Sequence, residues 1–242
     1  VFDHERRVGE ELVSQIDDLF RVNSVGAMTQ TSRNDIERAI RRAGRGNAGQ
    51  PQTSALEAAD VHTERMQRVS LDVFTEQIEG LTDDPAKAAE YRARAEAADT
   101  GPTAESVGAR QAELVESIRE KATEQLIEKV IAALETSGTT DERIDRALVQ
   151  IDLVWEMTRD RADRIAAWES ESMNTEFAAV YNLANGLFEY RWITRDDPIV
   201  RPLHEQRHLQ VFSWDDPPDE EPYDGPPGVP PNCRCRAEPI LA

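Results

Sequence analysis

Ten of the 13 prolines fall after Asp197, which confines most of the residue type that a helix interior rejects to the last fifth of a 242-residue chain. Only Pro51, Pro85 and Pro102 precede that point. The long first part is therefore free to be helical, and the short last part is built from turns and brief strands.

Apolar spacing in the first part agrees. Val8, Leu12, Val13, Ile16, Leu19 and Phe20 recur at helical intervals and predict an amphipathic helix over about 4–22. Ser32 is placed to cap a short helix carrying Ile36 and Ile40. The Gly/Gln/Asn/Pro-rich stretch 44–53 reads as a linker. Ser54-Ala-Leu-Glu57 has the capping-box pattern and opens a helix toward Leu81. Asp84-Pro85 starts another, and Asp99-Thr-Gly-Pro102 breaks the chain again. Leu114, Ile118, Leu126, Val130, Ile131 and Leu134 mark a long stripe over 104–136. Gly138 with Thr139 and Thr140 interrupts and recaps it. Ile144, Leu148, Ile151, Val154 and Trp155 give the next face, and a last helix is expected over about 161–185, ending near Gly186. These stripes read as core seams rather than cofactor boxes. With 39% apolar residues, such helices are expected to bury much of their stripes on neighbouring molecules.

After residue 190 the pattern changes to short β-prone runs, Tyr190–Thr194, Leu209–Trp214 and Cys233–Ile240. The expected fold is mainly α. An extended helical N-terminal region precedes a small α+β C-terminal domain with a short antiparallel sheet. The expected divisions are 1–53 (N-terminal helices and linker), 54–160 (long helices) and 161–242 (the C-terminal domain). So small a cap buries little surface and gains from a staple or a neighbour.

Charge narrows the function classes. Asp and Glu number 47 against 28 Lys and Arg, a net charge of -19. A chain this acidic is a poor general binder of nucleic acid or anionic membrane, so any DNA contact is local. No apolar run approaches the roughly 18 residues that cross a bilayer. The opening residues carry no basic-plus-apolar leader, so export by a signal peptide is not expected. Lysine occurs only at Lys87, Lys121 and Lys129; an acidic excess with so little lysine suits a salt-loaded cytoplasm. The Gly44/Gly46/Gly49 region lacks the Lys-Ser/Thr ending of a phosphate-binding loop.

Chemistry-bearing residues cluster near the C-terminus. His204 and His208 are spaced to share a face if both lie on one helix, and Cys233 and Cys235 to share a face on one strand. Two imidazoles and two thiolates suit tetrahedral zinc, which would staple a small cap. The alternative is two reduced thiols packed as small hydrophobes beside surface histidines. A Cys233–Cys235 disulfide would be strained. His204-Glu205-Gln-Arg-His208 also fits the zincin pattern, with Glu205 as base and Asp215 and Asp216 as further carboxylates, which gives a metal-dependent hydrolase as the enzymatic alternative.

Trp192-Ile-Thr-Arg-Asp-Asp-Pro-Ile-Val-Arg201-Pro-Leu-His204, the Trp-bearing strand, the Pro/Gly-rich loop and Asn232-Cys233-Arg234-Cys235 together resemble the phage Mu F-like minor head proteins. The preceding helix, Glu169–Leu187, fits as well, so the resemblance covers about 160–242. The matched positions are Asp197, Arg201, His204, Asn232, Cys233 and Cys235. His208-Leu209 and Pro231 depart from the pattern, so His208 enters a metal site by spacing alone.

The resemblance implies a structural, non-enzymatic protein of a tailed virus. It would be made in the host cytoplasm and placed in the virion head near the portal vertex, assisting head assembly, genome packaging or ejection. Its partners would be the portal protein, the major capsid protein and other copies of itself, with local contact to packaged DNA and none to membrane. The composition by itself points to a salt-loving host, the alternative being a GC-rich genome that replaces Lys by Arg. On the head-protein reading Asp197 and Arg201 form an ion pair that fixes the cap, and Arg234 and Arg236 either face a partner or line a solvated strand face. A helical adaptor with no role in a virus is the remaining alternative.

Overall fold

The computed structural model describes residues 30–44, 51–195, 197–219 and 225–241. The helix expected over 4–22 lies outside them. Six helices and three strands are described: α1 (Gln30–Gly44), α2 (Pro51–Leu81), α3 (Pro85–Glu96), α4 (Gly101–Glu135), α5 (Thr140–Ala184), β1 (Glu189–Ile193), α6 (Pro202–Gln206), β2 (Val211–Ser213) and β3 (Arg236–Pro239). The fold is mainly α with a small antiparallel sheet near the C-terminus, as the proline distribution predicts.

Local signals set most helix ends. The Asp84 carboxylate accepts from the amides of Ala86 (2.9 Å) and Lys87 (3.3 Å), and Pro85 occupies the first helical position of α3. Asp84→Ala should cost about 1 kcal/mol. The loss should appear as faster amide exchange over the first turn of α3, and unchanged exchange there would refute the cap's role. Thr139 and Glu142 form a reciprocal capping box at the start of α5: the Thr139 amide donates to Glu142 Oε2 (2.9 Å) and the Glu142 amide to Thr139 Oγ1 (3.3 Å). At its far end the Leu187 amide reaches the Asn182 carbonyl (2.9 Å) and the Gly186 amide the Leu183 carbonyl (3.0 Å), with Gly186 at φ +71°. That is a Schellman motif.

Three boundaries differ from expectation. α1 begins at Gln30 and α2 at Pro51, so Ser32 and Ser54 lie inside helices rather than at their caps. The helix ending near Gly186 does not start at 161, because α5 runs unbroken for 45 residues. No Gly or Pro stands between Thr140 and Ala184, so nothing in the backbone chemistry ends it sooner.

The chain divides into two compact units. One comprises residues 1–56 and 112–162. Its core joins Ile36 and Ile40 of α1 to Leu126, Val130, Ile131 and Leu134 of α4 and to Ile144, Ala147, Ile151 and Val154 of α5. These stripes are buried within the chain, against the expectation that neighbouring molecules cover them. The low overall apolar content misled because the apolar residues are concentrated on facing seams.

The other unit comprises residues 57–111 and 163–242. One cluster of its core holds Phe74, Ile78, Tyr91, Val107, Met173, Phe177, Tyr181 and Leu187. There Arg110 of α4 bridges two carboxylates of α5, Glu169 Oε2 at 3.2 Å and Glu176 Oε1 at 2.8 Å. The second cluster underlies the sheet, whose order is β2-β1-β3 with both pairings antiparallel. Alternation along β1 buries Tyr190 and Trp192 on one face. Trp214, Cys233 and Cys235 join them. Arg191 and Glu238, in register across β1 and β3, pair at 3.0 Å. Among the described residues no helix is long and apolar enough to cross a membrane.

Candidate metal centre

Two separate pieces of chain bring the chemistry-bearing residues together. The first is α6. Arg201 precedes it in extended conformation and Pro202 takes its first turn. His204 is 2% exposed, with its ring edge-on to Trp192 at 5.1 Å between centroids. The helix stops at Gln206, and Leu209 turns the chain at φ +65°. Arg207, beyond the helix, is buried with its guanidinium 5.1 Å from the Trp192 ring centre.

The second piece is the Pro-rich loop, which contains two turns in tandem. In Pro226-Pro227-Gly228-Val229 the Val229 amide donates to the Pro226 carbonyl (3.2 Å), and in Pro230-Pro231-Asn232-Cys233 the Cys233 amide donates to the Pro230 carbonyl (2.8 Å). Each has Pro second and a positive-φ residue third, Gly228 at +95° and Asn232 at +57°. This is the sequence logic of a type II turn, and it explains the Pro before Asn232. The second turn delivers Cys233 and Cys235 to the interior while Arg234 stays exposed.

α5 clamps this loop. The Thr175 hydroxyl donates to the Pro227 carbonyl (2.7 Å) and the Trp168 indole N–H to the Val229 carbonyl (3.0 Å). Thr175 and Trp168 stand two helical turns apart on one face. Sequence reading passed over both, although that spacing was their only available signal.

His204, Cys233 and Cys235, all buried, bring their donor atoms within 4.8 Å of one another. His204 Nδ1 lies 3.5 Å from Cys233 Sγ and 3.6 Å from Cys235 Sγ. The Gly228 amide donates to Cys233 Sγ at 3.3 Å. These contacts make the two thiols unequal. A hydrogen bond from Cys235, then those from His204 and the Gly228 amide, pull the Cys233 pKa down against the effect of burial. Holding that proton toward Cys233, and burial, push Cys235 up. The state favoured is one thiolate beside one thiol. Burial, and next the charge on Cys233, raise the pKa of Glu171, opposed by Arg195.

His208 does not join the group. Its Nδ1 accepts from the Thr194 amide (3.2 Å) and lies 2.9 Å from the Thr194 hydroxyl, in solvent. The shared face expected of His204 and His208 requires a helix that continues through both, and α6 is too short. The same ending undoes the zincin geometry, which needs both histidines and Glu205 on one regular helix. Asp197 and Arg201 also part from expectation. Asp197 pairs with Arg234 at 2.7 Å, and Arg201 donates to the Pro231 carbonyl. Both contacts still tie the segment before α6 to the Cys-bearing turn. Arg234 forms this ion pair while its side chain stays part-exposed.

A Cys–His pair invites comparison with nucleophilic catalysis, but His204, Cys233 and Cys235 are each at most 4% exposed. A cavity of about 310 Å³ on this unit is lined by Gln67, Leu71, Ala95, Thr100 and Tyr181, none of them from the cluster.

Comparison with known proteins gives a consistent result. The chain is 27% identical over 129 residues to an uncharacterized protein of Haemophilus influenzae (strain Rd), an alignment covering 53% of this chain and 27% of that protein. The chain thus spans about a quarter of the relative's length. No solved structure matches. Residues 124–238 match the family described as Phage Mu protein F like protein, reaching further toward the N-terminus than the motif around Trp192 and the two cysteines. Over that stretch, from the second half of α4 through the sheet and its Cys-bearing turn, the chain is similar to the phage Mu F-like proteins.

Proposed function

We propose that the chain is a minor head protein of a tailed virus that sits at the portal vertex, contacts the portal and major capsid proteins, and assists head assembly, genome packaging or ejection. The observation that carries this reading is the family match over 124–238. The acidic surface agrees with it, since a net charge of -19 keeps the protein from being sequestered along packaged DNA. The hydrolase alternative loses its main support with the separation of His208 from His204.

Co-expression with the portal and major capsid proteins of the same genome tests the proposal. The chain should sediment with assembled heads in fewer copies than the major capsid protein, and omitting the portal should release it. A chain that stays at the top of the gradient while heads form normally would overturn the reading.

A further inference from the structure

We propose that His204 Nδ1, Cys233 Sγ and Cys235 Sγ are three protein ligands of one Zn²⁺ ion that staples α6 to the Cys-bearing turn. The inference stands apart from the role in a viral head.

Geometry carries it first. Zinc holds sulfur at about 2.3 Å and imidazole nitrogen at about 2.0–2.1 Å with tetrahedral angles, so the N···S edge of such a site is about 3.6 Å. The two N···S separations, 3.5 and 3.6 Å, are that edge. Convergence carries it next. Apolar packing of two thiols needs only that they be buried. Here α6 and a turn from another part of the chain bring all three donor atoms within 4.8 Å of one another, with each residue at most 4% exposed.

The surroundings are those of a ligand shell rather than of an oily pocket. The Gly228 amide points at Cys233 Sγ, the outer contact that a metal-bound thiolate receives. α5 holds the loop from behind through Thr175 and Trp168. Arg201 and the Asp197–Arg234 pair tie the two ligand-bearing segments together on the other side. Two thiolates and an imidazole select zinc over magnesium or calcium, which take oxygen.

Binding replaces the remaining thiol protons by metal–sulfur bonds and releases them to solvent. Among the described residues no fourth His, Cys, Asp or Glu joins the group. The fourth corner is then taken by a donor outside this group. The benefit to the fold is direct, because the sheet is three short strands and the loop beside it has little regular structure.

The full chain, purified without a metal-affinity tag, stripped with chelator and reloaded with zinc, should retain about one zinc per chain by mass spectrometry of the metal. Cobalt in its place should give the sulfur-to-cobalt charge-transfer band and the intense visible bands of a tetrahedral site. Cys233→Ser, Cys235→Ser and His204→Ala should each lose the metal, while His208→Ala keeps it and the same cobalt spectrum. Should the ligand variants fail to fold, the wild-type spectrum and His208→Ala decide. Wild-type protein that retains less than about a tenth of an equivalent of zinc would overturn the proposal. So would a cobalt spectrum without the sulfur band, or loss of metal in His208→Ala.

Discussion

Replacing Trp192 with alanine is expected to cost about 3–5 kcal/mol, the range for removing a buried large aromatic side chain. Trp192 is fully buried near the C-terminal end of β1. Its ring meets His204 edge-on at 5.1 Å, Phe212 edge-on at 5.9 Å and the Arg207 guanidinium at 5.1 Å. Its backbone amide donates to the Gln210 carbonyl (2.9 Å) and its carbonyl accepts from Leu209 (2.8 Å), so the strand and the turn after α6 both close on this residue. Alanine keeps those backbone bonds and removes the ring that meets the imidazole. The cavity would border His204, and Arg207 would lose the ring that covers it. A domain is stable by about 5–15 kcal/mol in total, so this loss is a large share of the whole. Urea unfolding followed by circular dichroism gives the number. Phenylalanine at this position should recover part of the loss, since it restores an aromatic edge toward His204. A cost under about 1 kcal/mol for the alanine variant would mean that the sheet does not depend on this ring.

What could be read in advance follows the range of the forces. Asp84-Pro85 and Thr139-x-x-Glu142 work through atoms within one helical turn, and the sequence alone places both helix starts. The Trp-bearing strand and the meeting of His204 with Cys233 and Cys235 were also legible, from alternation and from the chemistry of the donor set. α5 was read as two helices although no residue in it favours a break. His208 was misplaced because i, i+4 spacing carries information only if the helix persists, and α6 ends two residues too early. The pairing of Asp197 with Arg234, and the clamps from Thr175 and Trp168 onto the loop, span 37, 52 and 61 residues. Their partners are chosen by the packed fold, which no local pattern encodes.

Gly228→Ala should be nearly as damaging, at about 2–4 kcal/mol, because two costs meet at one atom. The backbone at φ +95° is poorly tolerated by any residue with a Cβ. That Cβ would also stand 2.6 Å from Thr175 Oγ1 and 3.2 Å from the Glu171 carbonyl oxygen, both on α5. The loop would have to withdraw from the helix. Withdrawal stretches the bond from Thr175 to Pro227 and carries the Gly228 amide off Cys233 Sγ. Both thiols, sealed in the parent chain, should then react faster with a thiol reagent under native conditions. A double-mutant cycle separates the contributions. Thr175→Ala alone loses one hydrogen bond, about 1 kcal/mol. In the Gly228→Ala background it should cost less, since it also removes the atom struck by the new methyl group. Additive costs would show that the damage comes from the dihedral angle alone. Parent-like thiol reactivity in Gly228→Ala would show that the turn does not position the cysteines.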